Sequence, residues 1–249
     1  MFSFKQLKKF LLYAKEIAPI VALRDVSIQN EIILRHDIDI SLKSAFEVAK
    51  LEEKLGITSS FFVMLTNPLY NIFTKKNRNL LREIDKRGFE VGLHFDIQAY
   101  DGSSNFENYV DKEIQILSEV IGTEVYSISL HNPIKGFNLE LKKYNNAHSA
   151  IFSDLNYMSD SRMEFRKKDP YEFIKKASFM SVQVLLHPAH WIGKNRYYTE
   201  IFHSSVQDLI NDIDAFFKVN SKYRQHIKDS TLRKKINELE IKLCTEKKV

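Results

Sequence analysis

The sequence predicts an α/β fold built on a largely parallel sheet, either open or closed into a barrel. Short apolar runs alternate with amphipathic helical segments along most of the chain. The runs show little polar alternation, which is typical of strands buried on both faces. A chain of 249 residues also has the usual size of a single α/β barrel.

The N-terminal segment predicts an amphipathic first helix, because Phe4, Leu7, Leu11 and Ala14 follow helical spacing. Charged residues interrupt its apolar run, so we favour a helix over a signal peptide. No apolar stretch approaches the roughly 20 residues that span a bilayer. The single cysteine, Cys244, excludes an intramolecular disulfide and favours a reducing, cytoplasmic location.

Turn and cap residues delimit the remaining elements. Gly56 and Gly122 suit the ends of two helices, and Asp169 followed by Pro170 suits the start of another. The predicted elements are, in order, a strand within Glu31–Ile40, a helix Ser41–Leu55, a strand Thr58–Leu65, a helix Asn77–Arg87, a strand Glu90–Phe95, a helix Phe106–Ile121, a strand Val125–Leu130, two brief strands Ala150–Leu155 and Tyr157–Ser159, a helix Asp169–Ala177 and a strand Ser181–Leu186.

The C-terminal part becomes helical and increasingly charged. We therefore assign residues 1–204 to the α/β domain and residues 205–249 to a helical extension that packs on it or on a partner. Leu209, Ile213 and Phe216 are expected to pack inward. The formal net charge is +5, and the basic residues are scattered, so we predict no nucleic-acid site.

Histidines mark the ends of four predicted strands. If the strands are parallel, these side chains gather at one edge of the sheet, where carboxylates and imidazoles could hold a metal ion. Taken singly, each histidine could equally be a hydrogen-bonded core residue. The four strand ends are Arg35-His36-Asp37-Ile38-Asp39, His94-Phe95-Asp96, His131-Asn132-Pro133 and His187-Pro188.

Two of these segments resemble motifs of the polysaccharide deacetylase-like superfamily, the NodB homology or carbohydrate esterase 4 group. The matching segments are Gly88–His94, with the sequence GFEVGLH, and Val184–His187, with the sequence VLLH. The resemblance covers about Ile32–Trp191. It implies a distorted (β/α) barrel of about seven parallel strands, NodB-type, with the C-terminal helical extension added.

The resemblance also implies a divalent metal ion, most simply zinc. Asp39 and His94 match two family ligands, whereas Gln98 stands where the family has its second histidine. His131 is the best substitute for this third ligand, because it ends the next strand. Asp96 is the alternative.

The same resemblance implies the acid and base of a hydrolase. Asp37 matches the general base, although Ile38 separates it from Asp39, as in a divergent branch of the family with a His-Asp-x-Asp pattern. His187 matches the general acid, and Asp160 lies where the family has an acid that tunes this histidine. The implied reaction is removal of an acetyl group from a sugar.

Further residues near the strand ends are candidates for substrate binding. Trp191, Tyr100, Phe95 and Tyr70 could present rings to a sugar, and packing is the preferred interpretation for Phe95. His36 could orient Asp37, or make a hydrogen bond behind the site. The complete substrate-binding set is Arg35, His36, Asp96, Trp191 and Arg162.

We therefore expect a metal-dependent hydrolase that acts on an N- or O-acetylated sugar in surface polysaccharide biosynthesis, and the sugar could be nucleotide- or lipid-linked. Two alternatives remain open at this point: hydrolysis of a different amide or ester bond, and a barrel that binds carbohydrate without catalysis. The oligomeric state is also open, and a dimer is possible.

Overall fold

The computed structural model describes residues 2–27, 29–100, 105–132, 143–147, 153, 155–192, 197–228 and 230–238. The chain forms two compact units, Met1–Tyr198 and Thr199–Val249. None of the helices in the described ranges is long and apolar enough to cross a membrane. The assignment of 205–249 as an extension packed on the barrel or on a partner stays a prediction.

The first unit contains one parallel sheet. Seven strands form a continuous path in the order β6-β5-β4-β3-β2-β8-β7, and β1 pairs beside β2. The predicted distorted barrel of about seven parallel strands is thereby confirmed. The strands are β1 (Ile20–Val21), β2 (Ile32–Ile38), β3 (Ser60–Val63), β4 (Glu90–Asp96), β5 (Ser127–His131), β6 (Asn145–Asn146), β7 (Tyr157–Ser159) and β8 (Val182–Leu186).

Helices follow most of the strands, and side-chain caps begin them. Ser41, Thr74 and Asp169 accept backbone N–H groups at their helix starts, and Gly56 and Gly122 end two helices in the left-handed conformation. The helices are α1 (Phe4–Ile17), α2 (Leu42–Leu55), α3 (Lys75–Lys86), α4 (Phe106–Ile121), α5 (Pro170–Ile174), α6 (Pro188–Trp191), α7 (Tyr198–Phe217) and α8 (Ser221–Ile227).

Some predicted boundaries were wrong. Helix α3 begins earlier than predicted because Thr74 is its cap, and the predicted helix Asp169–Ala177 is α5 followed by a 3-10 turn, Lys175–Ser178. Further 3-10 turns are Leu23–Asp25, Ile97–Ala99 and Ser161–Met163. Most of the predicted strand Ala150–Leu155 lies outside the described residues.

The inward packing predicted for α7 was also wrong. Ile213 is 39% exposed and Phe216 is 71% exposed. The packed face of α7 centres instead on Asp214, whose Oδ1 accepts hydrogen bonds from Tyr223 Oη at 2.6 Å and from Leu232 N at 3.3 Å. Because each residue turns the helix by about 100°, positions 213 and 216 point away from this face.

The GFEVG part of the GFEVGLH segment serves packing in this chain. Gly88 has φ +87°, and a Cβ at Gly92 would lie 2.5 Å from a Phe62 ring carbon and 2.9 Å from Ser127 O. Glu90, which lies between the two glycines in the sequence, is buried and accepts a hydrogen bond from Ser60 Oγ at 2.6 Å. These contacts fix β4 and therefore the position of His94 at its carboxyl end.

His36 lies on the face of β2 opposite Asp37, as strand alternation requires. Its Nε2 is 2.8 Å from Glu52 Oε1 in α2, and its ring stacks on Phe61 at 4.5 Å. Ser59 Oγ donates to Glu52 Oε2 at 2.6 Å. The side chain is fully buried and faces away from Asp37, so the predicted roles in substrate binding and in orienting Asp37 were wrong. His36 ties the strand to the helix behind it.

We expect His36→Leu to lower the free energy of unfolding by about 1–3 kcal/mol, because Glu52 Oε1 would remain buried without its partner. Urea denaturation measures this change. The surface pair Lys50–Glu47 provides the control, since Lys50→Leu should change stability by less than about 0.5 kcal/mol. Equal effects of the two substitutions would contradict this role of His36.

Candidate metal centre

The carboxyl ends of β2, β4, β5 and β8 bring the predicted residues to one edge of the sheet. Asp39 follows β2, His94 and His131 lie near the ends of β4 and β5, and His187 follows β8. The loop after β2 is fixed by Asn67, whose Nδ2 donates to Asp39 O at 2.8 Å. Strand ends that are distant in sequence thus form one cluster, as predicted.

Three side chains converge within this cluster. His94 Nε2 lies 3.2 Å from Asp39 Oδ1 and 3.2 Å from His131 Nδ1, and the Asp39 and His131 atoms are 3.8 Å apart. Ligand atoms about 2.0–2.1 Å from a tetrahedral ion are separated by about 3.3 Å. Asp39 Oδ1 is buried and makes no well-directed hydrogen bond to the described residues. These atoms therefore fit a zinc-sized cation.

In both histidines, the ring nitrogen that faces away from the cluster (the outer nitrogen) also lies next to a polar group. His94 Nδ1 lies 3.3 Å from the Ser129 carbonyl oxygen, to which it can donate. The Asn132 side-chain amide lies beside His131, with Nδ2 2.9 Å from Nε2, and a half-turn of this amide presents its oxygen as an acceptor there. With each outer nitrogen donating, the inner nitrogen keeps a lone pair for a metal ion.

Asp96 is placed differently from the three converging residues. Its Oδ1 accepts the backbone N–H of Gln98 at 3.0 Å and caps the 3-10 turn Ile97–Ala99. In the part of the chain that the structure describes, the group of potential ligands comprises Asp39, His94 and His131. The geometry thus favours His131 over Asp96 as the third ligand.

Asp37 lies beside this group and is ion-paired. Its Oδ2 is 3.1 Å from Arg35 Nη2 and 3.8 Å from His94 Nε2, and Ser129 Oγ donates to the carboxylate at 3.3 Å. Burial opposes ionisation, but Arg35 and His94 outweigh it and hold the pKa of Asp37 below its usual value. Asp37 is therefore a carboxylate ready to accept a proton.

Arg35 does not reach the surface. Its guanidinium is buried, 5.9 Å from the Phe62 ring, and Nε and Nη1 have no hydrogen-bond partner among the described residues. A substrate contact predicted for Arg35 does not fit this burial. It pairs instead with Asp37 and neutralises the charge of that carboxylate.

His187 faces Asp39 from the opposite side of the cluster. Its Nε2 lies 3.5 Å from Asp39 Oδ2, and its Nδ1 lies 2.6 Å from Asp160 Oδ1. Burial alone would lower the pKa of His187, but the charge and hydrogen bond of Asp160, together with Asp39, raise it to about 9. Near neutral pH His187 is therefore protonated and can donate a proton.

Asp160, His187 and His190 form a second group with metal-ligand spacing. However, Asp160 already accepts hydrogen bonds from the backbone N–H and Nδ1 of His187 and from Trp191 Nε1 at 2.8 Å. A carboxylate with this many donors is better explained as a hydrogen-bonded hub than as a ligand.

The aromatic residues predicted to bind sugar are mostly engaged elsewhere. Trp191 is 4% exposed and bonded to Asp160, so its assignment to the substrate-binding set was wrong. Tyr100 stacks between Phe95 and Tyr109, and the buried Tyr70 donates its hydroxyl to Ile38 O at 2.7 Å. These contacts hold the loops in place and leave no open ring for stacking.

Sequence reasoning missed Tyr198. This residue lines a small cavity together with Asp37, Asp39, His187 and His190, and its ring contacts His190 at 5.4 Å. It follows no strand end, so the pattern that identified the other residues could not find it. The side chain of Arg162, the remaining predicted substrate contact, lies outside the described residues.

No protein-family model matches the sequence, and no curated protein matches it. A polysaccharide deacetylase from Bacillus cereus is similar in structure, with a TM-score of 0.44 and 12% identity over 73% of this chain and 87% of that one. The chitin deacetylase of Colletotrichum lindemuthianum gives a TM-score of 0.46 and 15% identity over 74% and 84%. A carbohydrate esterase 4 family pseudoenzyme from Bacillus anthracis gives 0.45 and 14% over 74% and 62%.

Proposed function

We propose that this protein is a metal-dependent hydrolase that removes an N- or O-linked acetyl group from a sugar in a glycan or glycan precursor. The convergence of Asp39, His94 and His131, with Asp37 on one side and His187 on the other, supports this proposal. Two imidazoles and a carboxylate are a ligand set that suits zinc and leaves a coordination position open. A divalent cation held there supplies Lewis acidity toward the acyl carbonyl and the attacking water.

Asp37 is the proposed general base. Its carboxylate lies beside the ligand cluster, and Arg35 keeps it ionised before the reaction. A water molecule next to the cluster can transfer a proton to Asp37 as it attacks the acyl carbon. Ser129 Oγ donates to the same carboxylate and so helps to fix its orientation.

His187 is the proposed general acid. Its Nε2 points toward Asp39, whereas Asp160 holds Nδ1 on the far side of the ring. A proton on Nε2 can pass to the nitrogen or oxygen of the departing sugar as the acyl bond breaks. Acid and base thus act from opposite sides of the cluster.

The proposed substrate is a carbohydrate. The formal net charge of +5 favours phosphate-bearing forms, such as nucleotide- or lipid-linked sugars. Acetate release should be measured from N- and O-acetylated sugars of each kind, with the purified protein, after chelation and after addition of zinc. Release that chelation abolishes and zinc restores is expected. Sugar binding without metal-dependent turnover would contradict the proposal and favour a barrel that only binds carbohydrate.

The alkaline side of the activity–pH profile should depend on Asp160. His187 donates only when protonated, so activity is expected below its raised pKa and is lost as the pH rises through it. Asp160→Asn removes the charge that raises this pKa, so the alkaline limb should move to lower pH by about 1–3 units. The dependence of kcat on pH for the zinc-loaded protein measures this. Asp96→Asn, a control at the same edge of the sheet, should leave the alkaline limb of the profile in place. An alkaline limb that does not move in Asp160→Asn would contradict the assignment of His187 as the general acid tuned by Asp160.

A further inference from the structure

Helix α6 brings three side chains to one buried carboxylate. His187 immediately precedes this single turn, and His190 and Trp191 lie three and four residues later. Positions i, i+3 and i+4 share one face of a helix, and here that face meets Asp160. The sequence His-Pro-Ala-His-Trp therefore encodes a cluster around Asp160, of which the mechanism above uses only His187.

The contacts divide between the two oxygens of Asp160. His187 Nδ1 lies 2.6 Å from Oδ1, and the His187 backbone N–H is shared between the two oxygens, 3.0 Å from Oδ1 and 3.1 Å from Oδ2. On the side of Oδ2, Trp191 Nε1 donates at 2.8 Å, and His190 Nδ1 approaches to 3.3 Å without the direction of a good hydrogen bond. Asp160 is completely buried, and His190 is 2% exposed, so water does not compete for these positions.

We propose that His190 and Trp191 are positioning residues that hold Oδ2 of Asp160, so that Oδ1 stays directed at His187 Nδ1 and His187 presents Nε2 to the cluster. This inference rests on the role proposed above for His187. Without the Trp191 donor, Oδ2 would keep only its share of the His187 backbone N–H, and the carboxylate could rotate about its last side-chain bond. Donors at both oxygens remove this freedom and thereby fix the ring that Asp160 supports.

The two positioning side chains are themselves held by packing. The Trp191 ring meets the Phe2 ring edge-on at 4.7 Å and lies 6.3 Å from that of Phe165. His190 packs against Tyr198. Trp191→Phe would keep the aromatic packing and remove only the N–H donor, which separates the hydrogen bond from the bulk of the side chain.

The first test compares two substrates with the zinc-loaded protein. An acetylated amine needs a proton on its leaving nitrogen, whereas an activated phenyl acetate ester has a leaving group that departs without one. Trp191→Phe should lower kcat for the amide roughly 10-fold, with KM within about twofold, and should leave ester turnover within about twofold. Equal losses on both substrates would indicate a merely structural role and overturn the proposal.

The second test does not depend on turnover. The short hydrogen bond between His187 Nδ1 and Asp160 should give a strongly deshielded proton resonance, assigned by its loss in Asp160→Asn. This resonance should move in Trp191→Phe and His190→Leu and should return toward its original position in His190→Asn, whose amide nitrogen can replace Nδ1. Tyr171→Leu, which removes a ring packed against Phe10 and Tyr13 rather than against Trp191, is the control and should leave it unchanged.

The two tests separate the two proposals. A resonance that is unmoved in both Trp191→Phe and His190→Leu would overturn the positioning role, whatever the activity. If no acetylated sugar or ester is turned over but the resonance moves as expected, the proposed function fails and the hydrogen-bonded arrangement around Asp160 stands.

Discussion

Asp37→Asn should lower kcat by roughly 10²–10⁴-fold, while the protein still binds one divalent cation. Asn has nearly the same shape as Asp but cannot accept a proton from water. Asp37 lies 3.8 Å from His94 Nε2 and is paired with Arg35, but it is not one of the three converging ligands. Steady-state kinetics on an acetylated sugar, together with zinc content by elemental analysis, would measure both effects.

The matched control for this substitution is Asp96→Asn, since Asp96 is a second carboxylate at the same edge that serves as a cap. The control should retain activity within about threefold, because Asn keeps the Oδ1 acceptor that caps the 3-10 turn. Activity of Asp37→Asn within tenfold of the original protein would remove Asp37 as the general base.

Asp39→Asn and His94→Gln should each weaken zinc binding by more than about 100-fold, because even the loss of a residue that only orients a ligand costs 10–100-fold. His131→Gln should do the same if His131 is the third ligand, as its 3.2 Å separation from His94 indicates. Competition titrations against a zinc-binding dye would give the affinities without any need for a substrate.

The same titration decides between the two candidates for the third ligand. Asp96→Asn should leave zinc affinity within about threefold, since its Oδ1 is engaged by the Gln98 backbone. A large loss in Asp96→Asn with none in His131→Gln would contradict the ligand set. Circular dichroism of each variant would show whether a loss of affinity comes from loss of fold.

The convergence of the candidate ligands could be predicted because it depends on topology. Parallel strands place their carboxyl ends at one edge, so acidic and histidine side chains at four strand ends are enough to bring Asp39, His94, His131 and His187 together. His36, the histidine of the first strand end, does not join them. Asp37 and Asp39 are two residues apart, so an extended strand directs them to the same side, and both approach His94.

The supporting contacts could not be predicted in the same way. Strand alternation puts Arg35 and Asp37 on one face of β2 and His36 on the other, but all seven residues are buried, so the pattern does not show which face meets α2. Trp191 follows a strand end by a single helical turn, which is too short for a periodic signal, and its N–H turns inward to Asp160. Hydrogen bonds between distant segments decided these positions, and a local pattern does not encode them.

Anomalous X-ray scattering at the zinc edge from crystals of the zinc-loaded protein would test the account most directly. We expect one peak per chain, about 2.0–2.2 Å from Asp39 Oδ1, His94 Nε2 and His131 Nδ1. The absence of a peak there, or a peak bound instead by Asp160, His187 and His190, would contradict both the metal centre and the catalytic roles assigned around it.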